Sequence, residues 1–204
     1  MLKIWGRVNS NNVRKVLWIA EELGLDYENI QLGGAFGGLD DPAFRALNPN
    51  GLVPCIDDDG FILWESNAIV RYLAAKNGRF WPQDPAVRAV GDKWMDWSNA
   101  SFLPAFRGAF FGLIRTPPEN RDRAAIAASF DASVVQLRRL EAELEKTPYL
   151  SGDELGIGDF AFGGFAYCWF ELPVERPDLP ALEDWYGRMT ARPAFRKAIM
   201  TPMT

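Results

Sequence analysis

The chain has 204 residues, 48% of them apolar and 13% aromatic, enough for one large core or two modest ones and too many to leave the chain disordered. A net charge of −5 argues against general nucleic-acid binding, which needs a basic face. Histidine is absent and cysteine occurs only at Cys55 and Cys168, which excludes Ser–His triads, histidine-ligated zinc, thiolate metal clusters and a disulfide framework. No run approaches the ~20 apolar residues of a membrane span, and MLKIWGRVNS lacks the apolar core of a signal peptide. A reduced, cytoplasmic protein with no membrane partner and no metal is expected.

Residues 1 to 78 alternate strand and helix signals. LKIWG is a short apolar run ended by glycine. In NVRKVLWIAEEL, Val13, Val16, Leu17, Ala20 and Leu23 recur at helical spacing, and Gly24 follows as a helix stop. YENIQL reads as a second strand, GGAFGGLDD as irregular, and DPAFRALNP as a short helix ended by Asn48-Pro49. VPCID and FILW, joined through Gly60, read as a hairpin, and NAIVRYLAAKNG as a helix capped by Ser66 or Asn67. The order βαβ, helix, ββα implies a mixed sheet covered by helices. Residues 79 to 85 read as a Pro-bearing linker, and 86 to 204 as all-helical. Periodic segments run over 86–114 and 120–146, and DFAFGGFAYCWF is apolar nearly all round, as a buried central helix would be.

Three short stretches bear on chemistry. Val53-Pro54 opens a strand with a residue that cannot donate to a ladder. A cis bond there would turn the Val53 N–H and C=O toward an extended peptide, and an ordinary edge-strand proline is the alternative. Glu65-Ser66 stands where strand meets helix. Ser66 suits an N-cap, and the same helix terminus suits a carboxylate, with Glu65 pairing an adjacent ammonium. Ser10 and Asn12 occupy the first strand–helix turn, where they either cap the helix or donate to a thiolate brought by a ligand. Cys55 alternates into the core. Phe102, Phe106, Phe110 and Phe111 recur at helical spacing, compatible with an apolar substrate wall or with packing, and Trp94 and Trp97 suit packing.

N-P-N-G-L-V-P followed by E-S-N-A-I-V-R-Y-L resembles the glutathione transferase signature, and RVNSNNVRKVLWIAEELGLDYE and YLSGDELGIGDF agree with it along the whole chain. The resemblance implies a thioredoxin-like α/β domain over 1–78 and an all-α domain over 86–204, usually as a homodimer. It implies that Pro54 is a cis-proline, that Val53 pairs with the cysteinyl backbone of glutathione, and that Glu65 and Ser66 hold its γ-glutamyl end. Ser10 and Asn12 would be the catalytic donors to the thiol, in the manner of theta- or nu-like bacterial members. The expected activity is transfer of the glutathione thiolate to a small electrophile lying between the two domains. A glutathione-dependent disulfide reductase and a non-catalytic binder are the alternatives. Two departures stand out: Leu52 replaces a frequent basic residue, and Gly156 replaces the Ser/Thr cap three residues before Asp159, a residue read as structural.

Overall fold

β1 (Leu2–Trp5) buries Leu2 and Ile4 and leaves its alternate residues partly open, the period of a strand covered on one face. The computed structural model describes residues 1–203. α1 (Asn11–Leu23) follows, buries Val13, Val16, Leu17 and Ala20, and ends at Gly24 in the left-handed region with φ 68°. Then come β2 (Tyr27–Ile30), α2 (Pro42–Leu47), β3 (Cys55–Asp58), β4 (Phe61–Trp64) and α3 (Ser66–Asn77). The sheet runs β2-β1-β3-β4, with β1 parallel to β2 and both other pairs antiparallel. That is the mixed sheet expected from the element order, and α1 and α3 pack against each other.

The helical segment comprises α4 (Pro85–Trp97), α5 (Leu103–Phe110), α6 (Arg123–Leu144), α7 (Ile157–Phe170), α8 (Pro180–Thr190) and α9 (Pro193–Ala198). Its first periodic stretch is not one regular helix, because π turns interrupt it at Ser98–Phe102 and Phe111–Arg115. Pro104 has no N–H to give the carbonyl four residues earlier and its ring would clash there, and the wider turn just before it relieves both. α7 is buried from Ile157 to Trp169, as its apolar sequence requires. Phe102 stacks on Phe106 at 5.1 Å and meets the edge of Phe162 at 5.1 Å, so these rings are core. Trp94 and Trp97 meet edge to face at 5.0 Å, with Trp94 buried.

Contacts divide the chain into two units, Met1–Trp81 with Pro193–Pro202, and Pro82–Arg192. Residues 193–202 therefore pack with the first unit, whereas their sequence position suggested the helical domain. The cause lies on α1, which carries large groups on two faces. Trp18 is fully buried and meets Phe195 of α9 edge-on at 4.9 Å. The buried Arg14 donates from Nε to Thr201 Oγ1 at 3.0 Å and from Nη2 to the Thr201 carbonyl at 2.7 Å.

The cap of α7 explains how Gly156 replaces a hydroxyl residue. Asp159 is fully buried and accepts from the N–H groups of Leu150 (2.9 Å) and Gly156 (3.0 Å) and from Trp185 Nε1 (2.8 Å). Burial pushes its carboxyl above the ordinary range, and these donors act against that. The missing cap hydroxyl comes from Ser151, whose Oγ accepts from the Gly158 N–H at 3.1 Å. A Cβ on Gly156 would lie 2.6 Å from Ser151 Cβ, so the hydroxyl at 151 demands a glycine at 156. Ser151→Gly should then cost about 0.5–2 kcal/mol as a lost cap, and Gly156→Ser should cost more through the clash. The double variant returns the hydroxyl to the usual place with room for it, so urea unfolding should find it less destabilised than the sum of the two. Strict additivity would disprove the exchange.

Candidate functional site

The Val53-Pro54 peptide is cis. β3 begins only at Cys55, which pairs with Trp5 on one side and Trp64 on the other. Val53 thus lies outside both ladders, and the sheet makes no use of its N–H and C=O. The turn leaving β1 comes close to it. Gly6, at φ 149°, approaches so tightly that a Cβ there would sit 2.4 Å from Val13 Cγ2 and 3.2 Å from Val53 Cβ. Only glycine permits that approach. The turn is tied down by Gly6 N–H to the Ile30 carbonyl (2.9 Å) and by Asn29 Nδ2 to the Ile4 and Gly6 carbonyls (both 3.0 Å).

Ser10 is the residue before α1, in extended conformation, and its carbonyl accepts from Arg14 N–H at 2.8 Å. Its hydroxyl does not cap the helix. Ser66 is not the cap of α3 either, since Glu65 takes that position and Ser66 is the first helical residue. Glu65 stands at φ 72°, ψ 108°, a region that costs a non-glycine residue about 1–3 kcal/mol and is found mainly at functional sites. Its side chain makes no cap hydrogen bond. The buried Ser66 hydroxyl donates to Asn12 Oδ1 at 3.3 Å, joining the first turns of α1 and α3. This bond uses the acceptor end of the Asn12 amide and leaves its NH₂ as the end able to donate.

The other helices show what is missing here. Asp41 caps α2 through the Ala43 N–H (2.8 Å), Asp84 caps α4 through Ala86 (2.7 Å), and Asp122 caps α6 through Ala125 (2.9 Å). The start of α8 is held by Glu141, whose carboxylate accepts from Ala181 (2.9 Å) and Leu182 (2.8 Å). α1 and α3 receive no such acceptor from their own cap residues. Their first-turn N–H groups and positive helix ends meet at one place, beside the cis-proline, and that is a place for an anion.

One participant escaped the sequence reading. Lys15 of α1 is 1% exposed, and its Nζ donates to Asn67 Oδ1 of α3 at 3.1 Å. Burial lowers its ammonium pKa to about 7, and the negative charge of Glu65 acts in the opposite direction. The signal was its spacing: three residues after Asn12 and four before Ile19, Lys15 lies on the buried stripe. Cys55 behaves as expected, with burial pushing its thiol up to about 11. Leu52, at the frequently basic position, is 61% exposed. Of the ring candidates, Phe111 alone is exposed, and its face carries the Arg107 and Arg115 guanidinium groups at 5.4 and 4.5 Å.

Comparison with known proteins bears on what the site is for. The sequence profile of the glutathione S-transferase N-terminal domain matches residues 9–76, and that of the C-terminal domain matches 102–193. The chain is 50% identical to glutathione S-transferase GstB of Escherichia coli strain K12, over the full length of both. It superposes on the theta class glutathione S-transferase of Xanthomonas axonopodis pv. citri, solved with glutathione bound, with a TM-score of 0.97, 54% identity and coverage of 100% and 99% of the two chains. It also superposes on glutathione transferase F7 of Populus trichocarpa with a TM-score of 0.87, 27% identity and 97% coverage of each. With the mixed sheet, the helical unit and the cis-proline turn already described, these matches leave one conclusion: the chain belongs to the glutathione S-transferase family.

Proposed function

We propose that this protein is a glutathione transferase in which glutathione is the co-substrate and Ser10, Asn12, Val53, Pro54, Glu65 and Ser66 form its site. The observation that carries the reading is the meeting of two helix N-termini, neither capped by its own cap residue, across the Asn12–Ser66 hydrogen bond. Val53, bent out of the sheet by the cis bond, pairs through its N–H and C=O with the cysteinyl backbone. The γ-glutamyl carboxylate takes the Ser66 N–H and hydroxyl, and the exposed Glu65 carboxylate pairs with the neighbouring ammonium. The sulfur then lies at the start of α1, where the Ser10 hydroxyl and the Asn12 NH₂ donate to it.

The chemistry follows from those donors. The thiol loses its proton to solvent, the thiolate attacks the electrophilic carbon, a C–S bond forms, and the displaced group leaves with the bonding electrons. Lowering the thiol pKa by two units needs ~2.7 kcal/mol of preference for the thiolate. Two oriented donors and a helix terminus supply that much. The protein acts on small electrophiles in the cytoplasm, in detoxification, and as a homodimer. Exposed Phe61 and Trp64 on the edge strand β4 supply apolar surface for a second copy. Among the described residues no helix is long and apolar enough to cross a membrane.

Removing the Glu65 carboxylate with Glu65→Ala should weaken glutathione binding about ten- to hundred-fold, the loss of a charged hydrogen bond. Calorimetry that found wild-type affinity in the folded variant would remove Glu65 from the site. The pair Ser10→Ala, Asn12→Ala tests the sulfur separately. Bound glutathione should keep nearly its full affinity while its thiol pKa rises, and thiolate absorbance followed against pH reports this. A titration unchanged from wild type would leave activation to backbone N–H groups. Turnover of a chlorinated dinitrobenzene should fall with the thiolate fraction. Sedimentation equilibrium should give about twice the 22.9 kDa chain mass, and a monomer at micromolar concentration would refute the dimer.

A further inference from the structure

A buried lysine at the start of a binding helix is costly twice over. The ammonium loses its water, and it sits at the helix end that is already positive. Lys15 does both: it is 1% exposed, and it donates to Asn67, the second residue of α3. The acid whose charge acts on it is Glu65, and Glu65 itself lies out toward solvent. On α9, the other helix packed on α1, Lys197 is held by Glu21 at 2.7 Å, six residues further along α1. Neutral Met or Leu would fill the same space between α1 and α3 at no such cost. An anion bound at that helix end would recover part of it.

We propose that Lys15 is a positioning residue for the ligand's γ-glutamyl carboxylate, supplying from beneath α3 the positive charge that helps its first turn hold that anion. This rests on the site assignment above and extends it to a side chain that need not touch the ligand. The ammonium fixes the Asn67 side chain, which follows directly on Ser66, and Ser66 is joined to Asn12. The carboxylate would then see the open N–H groups of α3, the Ser66 hydroxyl and a buried cation together.

Two consequences separate this role from mere packing. A carboxylate arriving near Lys15 stabilises its charged form, so its pKa must rise on binding. Since the free protein holds that pKa near 7, binding just above neutral pH should take up a proton, at most about one per site. The effect should also depend on the ligand's α-carboxylate and on nothing else in the ligand.

The experiment uses S-methylglutathione, which has no thiol proton to release, and its S-methylated analogue with γ-aminobutyrate in place of γ-glutamate, which keeps the amine and lacks the carboxylate. Calorimetry just above neutral pH, in two buffers of different ionisation enthalpy, gives affinity and proton count. Wild-type protein should take up a proton with S-methylglutathione and none with the analogue. Lys15→Met should bind S-methylglutathione about ten-fold more weakly, or ~1.4 kcal/mol, take up no proton, and bind the analogue as wild type does. Equal losses for both ligands, or unchanged affinity and proton count in the variant, would make Lys15 a packing residue. If Lys15→Met fails to fold, the wild-type proton count still decides, because no uptake overturns the proposal. Failure of the underlying site would look different: Glu65→Ala and Ser66→Ala would then leave S-methylglutathione binding unchanged.

Discussion

The Asn12–Ser66 hydrogen bond is the contact on which the candidate site depends, because it registers two helix ends that lie far apart in the first unit's sequence. Fifty-four residues separate the partners. The sheet order β2-β1-β3-β4 sets β1 beside β3 and β3 beside β4, so the turns leaving β1 and β4 emerge near one another. α1 and α3 then pack together, and their N-termini share a location that neither sequence stretch shows alone. At α2, α4, α6, α7 and α8 the chain spends an aspartate, a serine or a glutamate on closing the helix start. Here the cap residues are present and leave the work undone.

That restraint carries local costs. Glu65 stands in a disfavoured backbone region, Val53 is withdrawn from the ladder, and the Lys15 ammonium is buried. Each would be destabilising in a protein selected for stability alone. They persist because their surroundings are strongly held: Gly6 is clamped between Val13, Val53 and the β2 carbonyl, and Trp18 and Arg14 lock α1 to α9. The helical unit follows the opposite policy. Its buried acids, Asp159 and Glu141, are met by donors, and its aromatic rings stack into a continuous core. These three costs fall in the first unit, around the first turns of α1 and α3.

Much of this was legible in the sequence, because periodicity and turn chemistry are local. The strand and helix order of the first unit, the buried α7, the inward Cys55 and the Val-Pro step all follow from spacing and residue type. The N-P-N-G-L-V-P and E-S-N-A-I-V-R-Y-L stretches marked the family that the comparisons established. What was hidden depends on partners distant in sequence. Ser10 and Ser66 read equally well as caps, and only coordinates reveal that neither hydroxyl caps its helix. Lys15 reads as a surface charge until α3 is laid over it. Ser151 could not be known to replace the hydroxyl missing at Gly156, five positions away. The π turns in the 86–114 stretch leave the apolar spacing nearly intact, so the pattern could not reveal them, although Pro104 was a hint.

The packing of residues 193–202 onto α1 has a consequence for the order in which the protein is made. A ribosome delivers the four strands and α1 to α3 first, then more than a hundred residues of helical chain, and only afterwards Phe195 and Thr201. Until then Trp18 lacks the Phe195 ring and Arg14 lacks the acceptors at Thr201, so the part of α1 that α9 covers stays open. The first unit is thus completed only after the second has been synthesised. During elongation that apolar face is open to chaperones and to the same face on neighbouring nascent chains.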